Sequence, residues 1–264
     1  MSTLSREELL ELSRAREVLE HPSLAIRLAD RVGRPIEGLV QRLPEGARDA
    51  LSRATRRALD LSLTAALSTL DRGARDPEDW LHRAAALAVG AAGGAVGIAG
   101  LALELPISLT VMLRSIAAHA RAQGEDLGEV AARLECLTVF AYGSPAAEDD
   151  AADSAYFAVR AAFATSLGKA AEYVAQRGTA GALADRSAPA LVQLVARIGQ
   201  RLGVAVTDKA AAQLVPLLGA AGGAAINALF LQHYQDTARA HFTVRRLERA
   251  HGPEAVRRAY AEAP

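Results

Sequence analysis

The sequence predicts an all-α fold, and three observations carry that expectation. Apolar residues recur at helical spacing in almost every segment, no segment alternates with period two, and short turn-rich stretches such as DRGARDPED separate the segments. Hydrophobic residues make up 51% of the 264, which excludes a disordered chain and supplies a large core. Aromatics are only 4% and alanine dominates the apolar set, so that core must bring backbones close rather than interlock large rings. The expected architecture is a single multi-helix domain with a central Ala/Gly-rich apolar hairpin. Within it, residues 1–76 form an N-terminal helical layer and residues 77–264 the main helical part.

Ser5–Glu20 reads as the first helix, with Leu9, Leu12 and Leu19 on one side. From Ser23 an amphipathic pattern runs through Leu28, Val32, Ile36 and Leu39, with a kink or break expected at Gly33 and Pro35. A third helix spans Pro44 to Leu70. The stretch from Ala84 to Leu103 contains no charge, and LPISLTVML continues it to Arg114. AQGEDLGE makes a turn before a helix over Glu129–Tyr142. GSPAAEDD is a loop whose acids suit the N-terminus of a long helix, Ala151–Gln176. RGTAGALADRSAP then links to Ala190–Leu202, and a last long helix ends near His251–Gly252.

Charge excludes some functions. Thirty basic residues balance thirty acidic ones, so no net field favours nucleic acid or an acidic partner. Every basic residue except Lys169 and Lys209 is arginine, a bias in keeping with a GC-rich genome. The lone Cys136 allows neither a disulfide framework nor a cysteine metal site, and its place in an apolar run suits a buried thiol. The first twenty residues lack the apolar core of a secretory signal, so the expected compartment is the cytoplasm.

The uncharged run is long enough to span a bilayer. Nine of its twenty residues are Ala and five are Gly, however, so it lacks the Leu, Ile and Phe that drive insertion. Two readings stay open for 84–113: a buried hairpin of closely packed helices, or a segment that touches or enters a membrane. Arg27, Arg31 and Arg34, followed by Arg53, Arg56 and Arg57, add a basic amphipathic stripe of the kind that lies on lipid headgroups. Interspersed Asp30, Glu37, Glu45 and Asp49 fit a solvated helix face equally. The run GAAGGA occurs twice, at Gly90–Ala95 and Gly219–Ala224, and has no reactive side chain. Gly90, Gly93, Gly94 and Gly97 in the first region, with Gly219, Gly222 and Gly223 in the second, allow helices to meet backbone to backbone. That approach is expected to bring Glu104 near Asn227, and Leu at Gly93 or Gly223 to cost about 1–3 kcal/mol by overpacking.

Polar residues in apolar places mark the candidate site, because a buried charge demands a partner. On the last long helix Ile226, Phe230, His233, Thr237, Ala240, Val244 and Leu247 form one seam, so His233 should face the core. Asn227, Tyr234 and His241 form an adjacent stripe, with Arg245 one turn beyond. Asp236 lies three residues from His233 and could orient its ring. Arg160 shares a face with Asp153, Tyr156, Phe157, Phe163 and Leu167 and needs an acid, Asp153 or Glu104. Arg114 lies on a helix apolar nearly all round, and Glu104 precedes Pro106, a residue favoured in a first helical turn. Either these groups form networks that fix helix register, or Glu104, Arg114, Tyr156, Arg160, Asn227, His233, Asp236 and His241 converge on one polar pocket. A catalytic version would use His233 or His241 with Asp236 or Glu104 as a general base. No nucleophile elbow, HExxH helix or Walker loop is present, no spacing singles out a metal, and no cofactor is implied.

LELPISLTVMLRSIAAHARAQGEDL, ARLECLTVFAYGS, DSAYFAVRAA and the stretch from KAAAQLVPLLGAAGGAAINALF to LERAHG together resemble the EcsC family of bacterial proteins. The resemblance covers roughly Ala84 to Gly252, with Glu104 standing where members often carry Asp before Leu-Pro. It implies a bacterial, membrane-related context, since the family is named for a gene beside the subunits of an ABC exporter, and it assigns no reaction to any residue. The leading expectation is a cytoplasmic or membrane-peripheral helical protein that binds a lipid or hydrophobic peptide and assists a transport or envelope process. The alternatives are a hydrolase with a His/carboxylate site and a helical scaffold docking onto a membrane transporter. The expected partners are therefore a membrane surface, transporter subunits or a lipid or peptide ligand, and not nucleic acid.

Overall fold

Helices account for most of the described backbone. The computed structural model describes residues 4–20, 28, 36–44, 46–70, 97–142, 154–185, 187–212 and 219–263. Nine helices occur among them and no strand: α1 (Arg6–Glu20), α2 (Ile36–Val40), α3 (Ala47–Thr69), α4 (Gly97–Ala122), α5 (Val130–Tyr142), α6 (Ala155–Ala184), α7 (Pro189–Ala212), α8 (Gly219–His251) and α9 (Pro253–Glu262). The expected break at Gly33–Pro35, the first GAAGGA copy and most of the uncharged run lie outside the described residues. So do the side-chain surroundings of Gly219, Gly222 and Gly223, whose backbone opens α8.

The centre of the molecule is α5. Every residue from Ala132 to Tyr142 is buried, and the helix touches α3, α4, α6, α7 and α8. A helix enclosed on all sides must be apolar all round or supply partners for its polar groups. Here LECLTVFAY does the first and Arg133, Glu135 and Thr138 require the second. Arg133 Nη1 donates to the Leu67 carbonyl (2.8 Å), and Arg121 Nη2 donates to that of Leu70 (2.7 Å). Two guanidiniums thus satisfy carbonyls left over at the end of α3, where positive charge also complements the helix dipole. Arg201 Nε does the same for Ala141 at the end of α5 (2.8 Å).

Around α5, α3 lies along α4 and α7, α8 lies along α4 and α1, and α6 packs on α5 and α7. One hydrophobic cluster joins Leu12 of α1, Leu59 of α3, Ile116 of α4, Phe140 of α5, Leu202 of α7 and Leu247 of α8. The N-terminal helices therefore share their core with the rest of the chain. The α1 helix begins in a capping box: Ser5 Oγ accepts from Glu8 N–H and Glu8 Oε2 accepts from Ser5 N–H. It then ties down the far end of the chain. Arg16 donates to the Ala263 carbonyl, Glu11 pairs with Arg246, and His251 Nε2 lies 2.8 Å from Glu8 Oε1. Glu20 receives Tyr260 Oη (2.9 Å) and the Ala155 N–H (3.0 Å), so α1 also caps the start of α6.

Several sequence expectations need correction. Leu9 does not share the buried side of α1 and is 43% exposed; the contact face is Leu12, Ala15 and Leu19, and in the first turn the Glu8–His251 contact replaces it. Pro106 is not in a first turn but inside α4, which starts at Gly97, so Glu104 has no place at a helix N-terminus. The α6 helix does not end at Gln176. It kinks at Gly178 (φ 70°, ψ 160°), a left-handed backbone that glycine adopts without a steric penalty, and resumes to Ala184. Part of the expected linker is therefore helix. The α7 helix runs past Leu202 to Ala212 and buries Ala205, Val206 and Lys209 on the way.

Candidate functional site

The expected single cluster is two. Asn227 and His241 are both on α8, and fourteen residues of helix separate them by about 21 Å at 1.5 Å per residue. Each gathers its own partners.

The first cluster joins α4, α7 and α8. Lys209 is completely buried, with Nζ 2.6 Å from Glu104 Oε1 and 2.8 Å from Asn227 Oδ1. Ser108 Oγ donates to the same glutamate oxygen at 3.3 Å, and the Phe230 ring centroid lies 5.0 Å from the ammonium. Glu104 and Asn227 thus do meet, through a lysine. Burial lowers the Lys209 pKa from its usual range while the Glu104 carboxylate acts to raise it. Its geometry is that of a buried ion pair fixing three helices.

The second cluster joins α5, α6 and α8 and borders a pocket. Tyr156 Oη lies 2.8 Å from His241 Nδ1, and His241 Nε2 lies 3.1 Å from Glu135 Oε1. The ring N–H is not aimed along that last contact, so it is an electrostatic contact rather than a well-formed hydrogen bond. Tyr142 Oη donates to the same oxygen of Glu135 (3.1 Å), and the one proton of Thr138 Oγ1 is shared between that oxygen (3.2 Å) and the Glu135 carbonyl (2.8 Å). Burial lowers the His241 pKa, so the imidazole is neutral; with Tyr156 donating to Nδ1, the ring proton sits on Nε2. Burial opposes the charge of Glu135, yet His241, Arg245 and Arg160 hold its pKa down at about 2.

Arg160 does not pair with Glu104, whose partner is Lys209, and Asp153 lies outside the described residues. Its acid is Glu248 of α8, met by two parallel bonds of 2.8 and 2.9 Å. The guanidinium also lies 5.4 Å from the Tyr156 ring centroid. Arg245 forms a second fork onto Glu125 (2.8 and 3.1 Å), leaving Nη1 3.8 Å from Glu135 Oε2.

These side chains form one end of a pocket of about 440 Å³ between α5, α6, α8 and α9. Glu135, Arg160, Arg245 and Glu248 line that end, and Glu254 and Arg257 of α9 stand with them. Phe163, Ala164, Leu167 and Ala171 of α6 line it with apolar surface, while the Phe157 ring lies against Arg160 (5.6 Å) and Arg257 (5.5 Å). A concavity of this volume, lined by apolar side chains together with charged ones, has the size of a small-molecule site.

The remaining candidates fall elsewhere. Arg114 is exposed, because the face of α4 on which it lies with Ile107 turns outward. Asp236 is half-buried and pairs with Arg239 at 3.5 Å. His233 faces the core as its seam requires, with its ring edge-to-face on Tyr234 at 5.1 Å. Cys136 is buried, and its thiol pKa is pushed above the usual range by that burial. No group of three or more His, Cys, Asp or Glu able to hold a metal occurs among the described residues. Nor is any described helix long and apolar enough to cross a membrane.

Sequence reasoning missed Lys209, Glu135 and Glu248 as partners. Lys209 could have been found from Leu202, Val206 and Lys209, which share one face of α7, and Glu135 from its place inside an unbroken apolar run. Glu248 gave no such signal, because it belongs to the charged sequence RRLERAH.

The molecule is thus defined as an all-α domain with a fully enclosed central helix and a charged, half-apolar pocket at one side. The chain belongs to the EcsC protein family, whose match spans residues 7–247. The likeness therefore begins well before Ala84 and takes in α1 and α3, as expected from their share in the common core. Neither the curated proteins nor the solved structures contain a match to the chain.

Proposed function

We propose that this EcsC family protein binds an amphiphile in the pocket between α5, α6, α8 and α9, and that it serves a transport or envelope process at the surface of a membrane. The observation that carries the reading is the division of that pocket into an apolar α6 flank and a charged end. Of the two ligands expected from the sequence, we take a single-chain lipid as the occupant, its chain along the apolar residues of α6 and its head at the charged groups. A volume of about 440 Å³ lies within the range of about 300–1,000 Å³ for small-molecule sites. Arg53, Arg56 and Arg57, exposed along the outer face of α3, support contact with anionic headgroups.

The paired groups at the charged end suit holding better than proton transfer. His241 has no exposed surface, and a carboxylate with a pKa of about 2 is a weak base at neutral pH. The test is native purification from separated membrane and soluble fractions, with mass spectrometry of whatever lipids accompany the protein. Lipid at near-stoichiometric amount, lost on Ala164→Trp, is the expected result. Protein that carries no lipid and ignores anionic vesicles at low salt overturns the proposal.

A further inference from the structure

The charged end of the pocket holds charges of both signs in equal number: Glu135, Glu248 and Glu254 against Arg160, Arg245 and Arg257. Most of their bonding capacity is spent internally. The Arg160 fork is occupied by Glu248, and Arg245 Nε and Nη2 by Glu125. On Glu135, Oε1 is engaged by Tyr142, Thr138 and the edge of His241. Glu254 and Arg257 stand exposed on α9, and between Glu135 and Arg245 two atoms are left over. Glu135 Oε2 accepts no hydrogen bond among the described residues although the residue is 5% exposed, and it belongs to the pocket wall. Facing it at 3.8 Å is Arg245 Nη1, beyond hydrogen-bonding distance.

An acceptor and a donor set slightly too far apart to bond each other make a slot for a group that is both donor and acceptor. A hydroxyl or a carboxamide can donate to Glu135 Oε2 and accept from Arg245 Nη1 at once. An ammonium head placed there would gain Glu135 but meet Arg245 and Arg160. A carboxylate or phosphate would gain Arg245 but meet Glu135 and Glu248. We infer that the pocket selects a single-chain lipid with an uncharged hydroxyl-bearing head, read by Glu135 Oε2 and Arg245 Nη1. This rests on the amphiphile reading above and specifies its headgroup.

The test uses the full chain and four dodecyl amphiphiles below their micellar concentrations: monododecanoylglycerol, dodecanoate, dodecylamine and dodecylphosphocholine. Affinities come from isothermal titration calorimetry. The glycerol ester should bind about tenfold more tightly than any charged or zwitterionic counterpart, which corresponds to one well-placed pair of hydrogen bonds. Glu135→Gln should abolish that preference while leaving the chain contribution, and Ala164→Trp should remove binding of all four. Should Glu135→Gln fail to fold by circular dichroism, Arg245→Gln at its half-buried site reads the same preference. Equal affinity for all heads, or tighter binding of a charged or zwitterionic one, overturns the headgroup inference and leaves the amphiphile reading standing. Binding of none of them removes both.

Discussion

Lys209 has no exposed surface and sits with its ammonium between Glu104 and Asn227. Removing one member of such a pair leaves a buried charge without its counter-charge, which is far more costly than removing both. Lys209→Met is expected to lower stability by about 3–5 kcal/mol, and Lys209→Met with Glu104→Gln to recover most of that loss. Urea unfolding of the single and double variants measures both. A second prediction concerns acid. The pKa values of His241 and Glu135 both lie below their ordinary values of 6.5 and 4.5. A depressed folded-state pKa means that the unfolded chain takes up the proton first, so stability is complete above the ordinary value and declines as pH falls. From pH 8 downward the melting temperature should be flat, then drop as the solution passes below 6.5, and drop again between 4.5 and about 2. Glu8, Glu125 and Asp185 share the lower stage, whereas His241→Asn should remove the upper one. A single stage in the native protein would refute the assignment to His241. At this scale the sequence told which residues are buried better than it told their partners. The α8 seam from Ile226 to Leu247 is buried as its spacing requires, because the period of a helix is local. The pairing of Arg160 with Glu248 was not legible, because that acid is 88 residues away on another helix.

Among the elements, helix ends were read less well than helix faces, for a physical reason visible in α6. Gly178 takes a left-handed backbone conformation, which in sequence is indistinguishable from a terminating glycine, yet the chain resumes its helix beyond it. The second GAAGGA run was read as leading into a long helix, whereas its six residues are the first turns of α8 itself. The ends that matter most energetically are those closed by arginine. Arg133 reaches from buried α5 to the Leu67 carbonyl, a bond from a charged donor in a dry environment. Arg133→Met should cost about 1.5–3 kcal/mol, the range for hydrogen bonds to charged groups. Chemical denaturation measures that loss, and amide hydrogen exchange should show it concentrated in the last turn of α3. Loss of protection spread evenly over all helices would contradict the capping role.

For the molecule as a whole, the shared cluster from Leu12 to Leu247 predicts one cooperative unit despite the length of the chain. Far-ultraviolet dichroism, which follows helix, and near-ultraviolet dichroism of the buried Tyr142, Tyr156, Tyr234 and Tyr260 should melt together. Separate transitions would mean that the N-terminal layer unfolds by itself, as a boundary near residue 76 would allow. The all-α class was legible because period and composition agree over the whole chain. The split of the polar residues into two clusters was not, since it depends on how far apart along α8 the neighbouring helices cross it.

The clasp made by α1 also sets an order of events. Its partners Arg246, His251, Tyr260 and Ala263 lie 235 to 247 residues downstream of the groups that bind them. At about 5–20 residues per second, a ribosome needs roughly 12–50 s to deliver that much chain. Throughout that interval Leu12, Ala15 and Leu19 have been synthesised and their cover has not. The α1 helix is thus among the last elements to find its place, and a nascent chain of this protein presents it as a sticky segment for a chaperone to shield until α8 and α9 emerge.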